Sequence, residues 1–459
     1  MPAPLPVPSP FGHSVHRLET RLPSLVAEGL RVPLVTGESV RYVNLDYAAT
    51  APCLTAASEA VAAALPWYGS VHRGAGFTSQ VSTALLASSR AEVAAFVGAR
   101  PGDAAIFTRH ATEALNLLAD ALPEDTGVVS FASEHHANLL PWRRQGGVLL
   151  PVPRRKSEVV PAAVAALRAL PNRHKLLAVT GASNVTGELW PLEELCAAAR
   201  RCGARVVIDA AQLAPHRSID LAALGADWVA FSAHKLYAPF GCGALVGRAD
   251  WLDRAEPRLA GGGAVRRVTV DEVEWTDGPS RHEAGTPNLP GAVAFAAACS
   301  TLSAQGWARL VAHEAALTGA LLRGLRRLRG VRVLSLWGAR SARIGVATFT
   351  VRGWQPGLLA AALSAEHGIG VRDGAFCAHP LVRALQGEAA HAAAPGAVRA
   401  SLGLGSTAAD VERLLGALEQ LIARGPRWSY AREQGRFSPS PDPRPRPEFA
   451  PPLQLLARA

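Results

Sequence analysis

Strand-sized apolar runs alternate with helical stretches through the first two thirds of this chain. The runs are Ala105–Thr108, Gly127–Phe131, Val148–Val152, Leu176–Thr180, Val206–Asp209, Trp228–Ser232 and Gly243–Val246. Helix-length segments between short apolar runs predict βα units, and hence an α/β fold with a mostly parallel seven-stranded sheet covered on both faces. One junction is sharply written: Leu192–Arg201 is an alanine-rich helical stretch, Gly203 ends it, and the next apolar run follows at once. After residue 296 the pattern changes to long helical segments such as Trp307–Leu328, interrupted by strands at Val331–Leu336 and Gly345–Val351. That predicts a smaller α+β domain over 296–424, behind a large domain over 41–295. Residues 1–40 read as a proline-bearing leader with a short helix near Arg21–Leu30. Residues 425–459 hold eight prolines and little periodicity, which predicts a poorly ordered extension. In open parallel sheets, ligands sit at the carboxyl ends of the strands, so side chains just after the apolar runs are the first candidates for chemistry.

Composition narrows the picture. The chain has 459 residues, 49% of them hydrophobic, which is ample for a large core. No apolar run reaches the roughly 18 residues of a membrane span, and residues 1–16 lack a secretory pattern. The expectation is a cytoplasmic protein without a membrane partner. The net charge of +10 is scattered and carries no interleaved aromatic stripe, so nucleic acid is not an expected partner. The six cysteines form no C-x-x-C pair, so neither a metal site nor a redox dithiol is expected.

Lysine usage changes the picture most. Only Lys156, Lys175 and Lys235 occur; the other 44 of the 47 basic residues are arginines. A lysine retained in such a chain is needed as an amine, because guanidinium stays protonated and is a poor nucleophile. Lys235 lies in Ser232-Ala233-His234-Lys235, just after one apolar run, and Asp209 and Gln212 follow the run before it. An acid at the end of one strand and a lone amine after the next is the arrangement of a Schiff-base lysine with a pyridoxal phosphate (PLP) partner.

Further motifs occur in order: Leu45-Asp46-Tyr47-Ala48-Ala49, Val71-His72-Arg73-Gly74, Ala111-Thr112-Glu113-Ala114, Glu134-His135-His136-Ala137-Asn138 through Trp142, Ser183-Asn184-Val185, Glu283-Ala284-Gly285-Thr286-Pro287-Asn288, and Val371-Arg372-Asp373-Gly374 with Cys377-Ala378. Together with the lysine segment they resemble the class V aminotransferase superfamily of fold-type I PLP-dependent enzymes over roughly residues 40–424. Within it they look most like the cysteine desulfurase and selenocysteine lyase branch.

The resemblance implies PLP as cofactor, an amino acid as substrate and a homodimer. Lys235 would hold the cofactor and move the substrate Cα proton. Asp209 would pair with the pyridinium nitrogen, and Gln212 would donate to the phenolic oxygen. His135 would stack on the ring, with His136 as the competing candidate, and Asn184 would support the ring. Ala111, Thr112, Ser232 and His234 would donate to the phosphate, joined by Thr286 from the neighbouring subunit. Arg399 would clamp the substrate carboxylate, with Arg372 as a second candidate.

Cys377 decides the reaction. The desulfurase branch implies a loop cysteine that takes sulfur from L-cysteine, leaves alanine, and passes sulfur to an acceptor protein. Close desulfurases carry two histidines where this chain has Ala375 and Phe376, and His379 follows instead. A class V aminotransferase, epimerase or β-lyase reaction with Cys377 as a bystander is therefore a second expectation. A non-catalytic scaffold of the same fold is a remote third.

Overall fold

The computed structural model describes residues 22–72, 74–387 and 396–448; Arg73 of the second motif lies outside them. All seven apolar runs are strands of one sheet. They are β1 Asp103–Thr108, β2 Thr126–Phe131, β3 Val148–Leu150, β4 His174–Thr180, β5 Arg205–Asp209, β6 Trp228–Ser232 and β7 Gly243–Arg248. Their spatial order is β1-β7-β6-β5-β4-β2-β3. Only β7 runs antiparallel to its neighbours, β1 and β6. The remaining pairs are parallel, so six carboxyl ends, those of β1 to β6, open on the same edge. Strands buried on both faces need continuous apolar runs rather than alternation, which is why these segments, apart from the exposed β3, were legible. One face is covered by Leu195, Phe231 and Phe295 with their neighbours, the other by Leu115, Leu118 and Trp228.

The smaller domain is an antiparallel sheet ordered Val331–Val333, Val346–Val351, Ala397–Ser401, Arg372–Gly374. Helices Trp307–Arg327, Pro356–His367 and Ala408–Arg424 share its core. Val43 and Leu45 pack there too, and Val43–Asn44 pairs in parallel with Ile369–Gly370. Residues 43–45, which the sequence pattern placed in the large domain, thus pack in the small domain's core.

Two expectations are corrected. The short helix near Arg21–Leu30 is a turn in its described part, closed by bonds from Glu28 N to Leu25 O (3.0 Å) and from Leu30 N to Ala27 O (3.2 Å). Gly29 adopts φ +79°, which ends any helical path. The tail expected to be poorly ordered carries a hairpin, Tyr430–Glu433 against Arg436–Pro439. Its two-residue turn, Gln434 at φ 46° and Gly435 at φ 80°, has the left-handed pair that matches strand twist. Buried Glu366 anchors the hairpin by accepting from Arg427 N, Trp428 N and the Tyr430 hydroxyl. Four residues per strand were too few to show a period amid the prolines. Residues 449–459 lie outside the described part.

Candidate active site

The carboxyl ends of the parallel strands and the small domain enclose a cavity of about 290 Å³. Asp209, the last residue of β5, is 4% exposed, and its Oδ1 accepts from Ala211 N at 2.9 Å. Burial pushes its carboxyl up, against that N–H and the nearby Lys235. Lys235 follows β6 in the short 3₁₀ turn Ala233–Lys235. Burial lowers its amine from 10.5 to about 8; Asp209 opposes this and Arg399 adds to it. An amine brought close to neutrality, beside a buried acid, is what proton transfer near neutral pH needs.

His135 follows β2. Its Nδ1 accepts from Ala137 N at 3.1 Å, which places the proton of the neutral ring on Nε2. Burial, then Lys235, lowers it to about 3, so the ring is neutral throughout the working range. His136 turns away toward His379, whose ring lies 4.7 Å off, edge to face. Of the two histidines, His135 lines the inner cavity.

Past β1, His110 caps the helix Ala111–Asp120 by accepting from Glu113 N. The N–H of Ala111 is already donated to Ser232 Oγ at 2.8 Å. Ala111 therefore lines the cavity without a free donor, whereas Thr112 and the Ser232 hydroxyl proton remain available. His234 contacts Thr50 Oγ1 at 3.3 Å, and burial lowers its ring to about 4. Gln212 spends one amide proton on Ala48 O at 2.8 Å. Thr286 is exposed and does not line the cavity of its own chain.

Arg399 enters from the small-domain sheet and is 3% exposed. It donates to Asn184 O at 3.0 Å and to Asp46 Oδ1 at 3.3 Å. Its Nε is buried without a hydrogen-bond partner among the described residues. Arg372 is its cross-strand neighbour in register, but exposed. Cys377 is also exposed and reaches the cavity on the turn after Gly374.

Two site residues escaped the sequence reading. Asp46 pairs with Arg399; it sat inside a motif, but no spacing links residues so far apart. Glu134 is fully buried and accepts from Asn138 Nδ2 (2.7 Å) and Thr180 N (3.2 Å), with Trp142 Nε1 bonded to Asn138 in turn (3.0 Å). Burial raises its carboxyl to about 8, with Asp209 adding to the rise. The folded protein thus keeps a proton that the unfolded chain releases above the ordinary value of 4.5. The stability this supplies is complete below that value and is lost as pH rises toward 8. Glu134→Gln cannot titrate, so wild type should lose stability relative to the variant between pH 5 and 8, by up to about 1.4 kcal/mol per pH unit. Urea midpoints of both proteins at several pH values check this; parallel profiles would contradict it.

The Aminotransferase class-V family model matches residues 43–414. The chain belongs to the class V aminotransferase family, in its cysteine desulfurase branch. A probable cysteine desulfurase of Vibrio cholerae is 35% identical over 85% of this chain and 95% of its own length. One from Pseudomonas aeruginosa is 38% identical over 82% of this chain and 93% of its own. The apo structure of cysteine desulfurase from Thermococcus onnurineus superposes with a TM-score of 0.76 at 32% identity, covering 88% of this chain and 99% of that one. Fold-type I architecture, with its mostly parallel seven-stranded sheet, is shared with these structures.

Proposed function

We propose that this protein is a PLP-dependent cysteine desulfurase that takes sulfur from L-cysteine onto Cys377 and releases alanine. The observation that carries this reading is that Lys235, Asp209, Arg399 and Cys377 line one cavity. The donor set suits PLP. Asp209 is a buried acid for a ring nitrogen, and Gln212 has an amide proton left for the phenolic oxygen. Thr112, Ser232 and His234 offer donors to a phosphate, and His135 presents a neutral ring. PLP bound there would supply the electron sink for bond breaking at Cα. The chain supplies the rest. Lys235 takes and returns the Cα proton. Arg399, which lines the cavity, holds the substrate carboxylate through its guanidinium. The Cys377 thiolate attacks the substrate sulfur; an S–S bond forms as the Cβ–S bond breaks, Cβ keeps the bonding pair and takes the proton the thiol gave up, and return of the Cα proton leaves alanine and a Cys377 persulfide. Asn184 and Arg372 support the ring and the carboxylate.

The test is direct. Purified protein given L-cysteine and a reductant should form alanine and sulfide in equal amounts. Alanine without sulfide, or neither product, would reject the reading. Replacement of the two loop histidines by Ala375 and Phe376 favours the second reading, another class V reaction with Cys377 uninvolved; the Cys377 variant argued below separates the two.

The exposed Thr286 supports a homodimer in which each subunit completes its neighbour's phosphate site. Light scattering should give twice the 48.0 kDa chain mass, and an active monomer would refute the Thr286 role. No helix among the described residues is long and apolar enough to cross a membrane. A sulfur-acceptor protein is the expected partner.

A further inference from the structure

Phe376 and Cys377 are consecutive non-glycine residues in the left-handed region, at φ 54° and 53°. Such a pair is strained and persists only where its surroundings hold it. Both carbonyls are held from the large domain. Asn184 Nδ2 donates to Phe376 O at 2.8 Å, and His136 N donates to Cys377 O at 2.8 Å. A third contact is made by the buried Phe376 ring, which lies 5.1 Å from the Arg399 guanidinium carbon. Asn184 also accepts from Arg399 through its own carbonyl, so one residue ties the carboxylate-binding arginine to the loop. The pose sets Cys377 at a junction, because it lines both the inner cavity and an outer one of about 600 Å³ bordered by His136, Leu140 and Arg143.

We propose that Asn184 and His136 are positioning residues that pin the cysteine loop in this left-handed pose, and that the loop relaxes out of it when either pin is lost. Holding a thiol between two cavities on a strained, releasable backbone suits it to load on one side and unload on the other. That use rests on the sulfur-transfer reading above; the pinning does not.

The backbone offers a clean test. His136 is the first residue of a 3₁₀ turn, and His135 before it has φ −60° and ψ 147°, the conformation proline demands of its predecessor. His136→Pro deletes the pinning N–H, whereas His136→Ala deletes the imidazole and keeps it. Asn184→Asp replaces the other donor with an oxygen that repels Phe376 O. Amide hydrogen exchange is followed by mass spectrometry over residues 374–378 in the cofactor-loaded protein, leaving out His379, whose own N–H donates to the His136 ring. H136P and N184D should each exchange about tenfold faster than wild type, the effect of one lost hydrogen bond, and H136A should stay within about twofold. Wild-type exchange in either H136P or N184D, or H136A matching H136P, overturns the proposal. Exchange needs no turnover, so failure here is distinct from failure to release sulfur.

Discussion

Lys235→Arg should lower turnover by at least about 10³-fold while leaving the protein folded. Proton transfer by a positioned side chain contributes roughly 10²–10⁴-fold, and here the same amine would also have to hold the cofactor. The structure explains why arginine, freely used elsewhere, fails at this position. Burial brings the Lys235 amine down to about 8, so a sizeable neutral fraction exists near neutral pH. A guanidinium at the same site stays charged. It would keep a favourable charge interaction with Asp209, so the fold should survive, and a melting temperature within a few degrees of wild type separates lost chemistry from lost structure. The other two lysines cannot substitute. Lys175 donates to Leu167 O at 2.8 Å from β4, and Lys156 opens a helix on the surface. Borohydride treatment of the cofactor-loaded wild type should therefore place a single covalent adduct on Lys235. An adduct on Lys156 or Lys175, or a K235R variant with appreciable turnover, would end this assignment.

What the sequence made legible follows from which forces act locally. Strands buried on both faces must be apolar throughout, so all of β1 to β7 but the exposed β3 announced themselves that way, and the side chains following them were found by position alone. Lys235 stood out because the composition left it no other reason to be lysine. Features that depend on distant partners were hidden. The Ala111 N–H looked free as a helix-terminal donor, but Ser232, on a strand brought alongside only by the sheet, takes it. Asp46 and Arg399 pair across the whole chain. Glu134 reads as an ordinary polar residue until folding seals it without a counter-charge. The hairpin after residue 425 exists because Glu366, inside a helix far upstream, offers a buried carboxylate to three donors. Phe376 looked like the loss of a family histidine; only in three dimensions does its ring find the Arg399 guanidinium.

Cys377→Ala carries the largest consequence for the reaction itself. Sulfide release from L-cysteine should fall below about 1% of wild type, because no other thiol can take the substrate sulfur. Among the remaining cysteines, Cys196, Cys242 and Cys299 are buried in the core, and burial pushes all three thiols up and away from reactivity. Cys53 is likewise raised by burial, and neither it nor Cys202 lines the cavity. Cysteine binding should persist within about threefold, since Arg399, Asp209 and Lys235 are untouched and the thiol is exposed rather than packed. The absorbance change of the bound cofactor on adding cysteine reads that binding independently of turnover. In wild type, mass spectrometry before addition of reductant should find one extra sulfur on the peptide containing Cys377. The combination of lost sulfide and kept binding is diagnostic, because a misfolded variant would lose both. A Cys377→Ala protein that releases sulfide at the wild-type rate would make the cysteine a bystander, and the chemistry would then belong to another class V reaction driven from Lys235 alone.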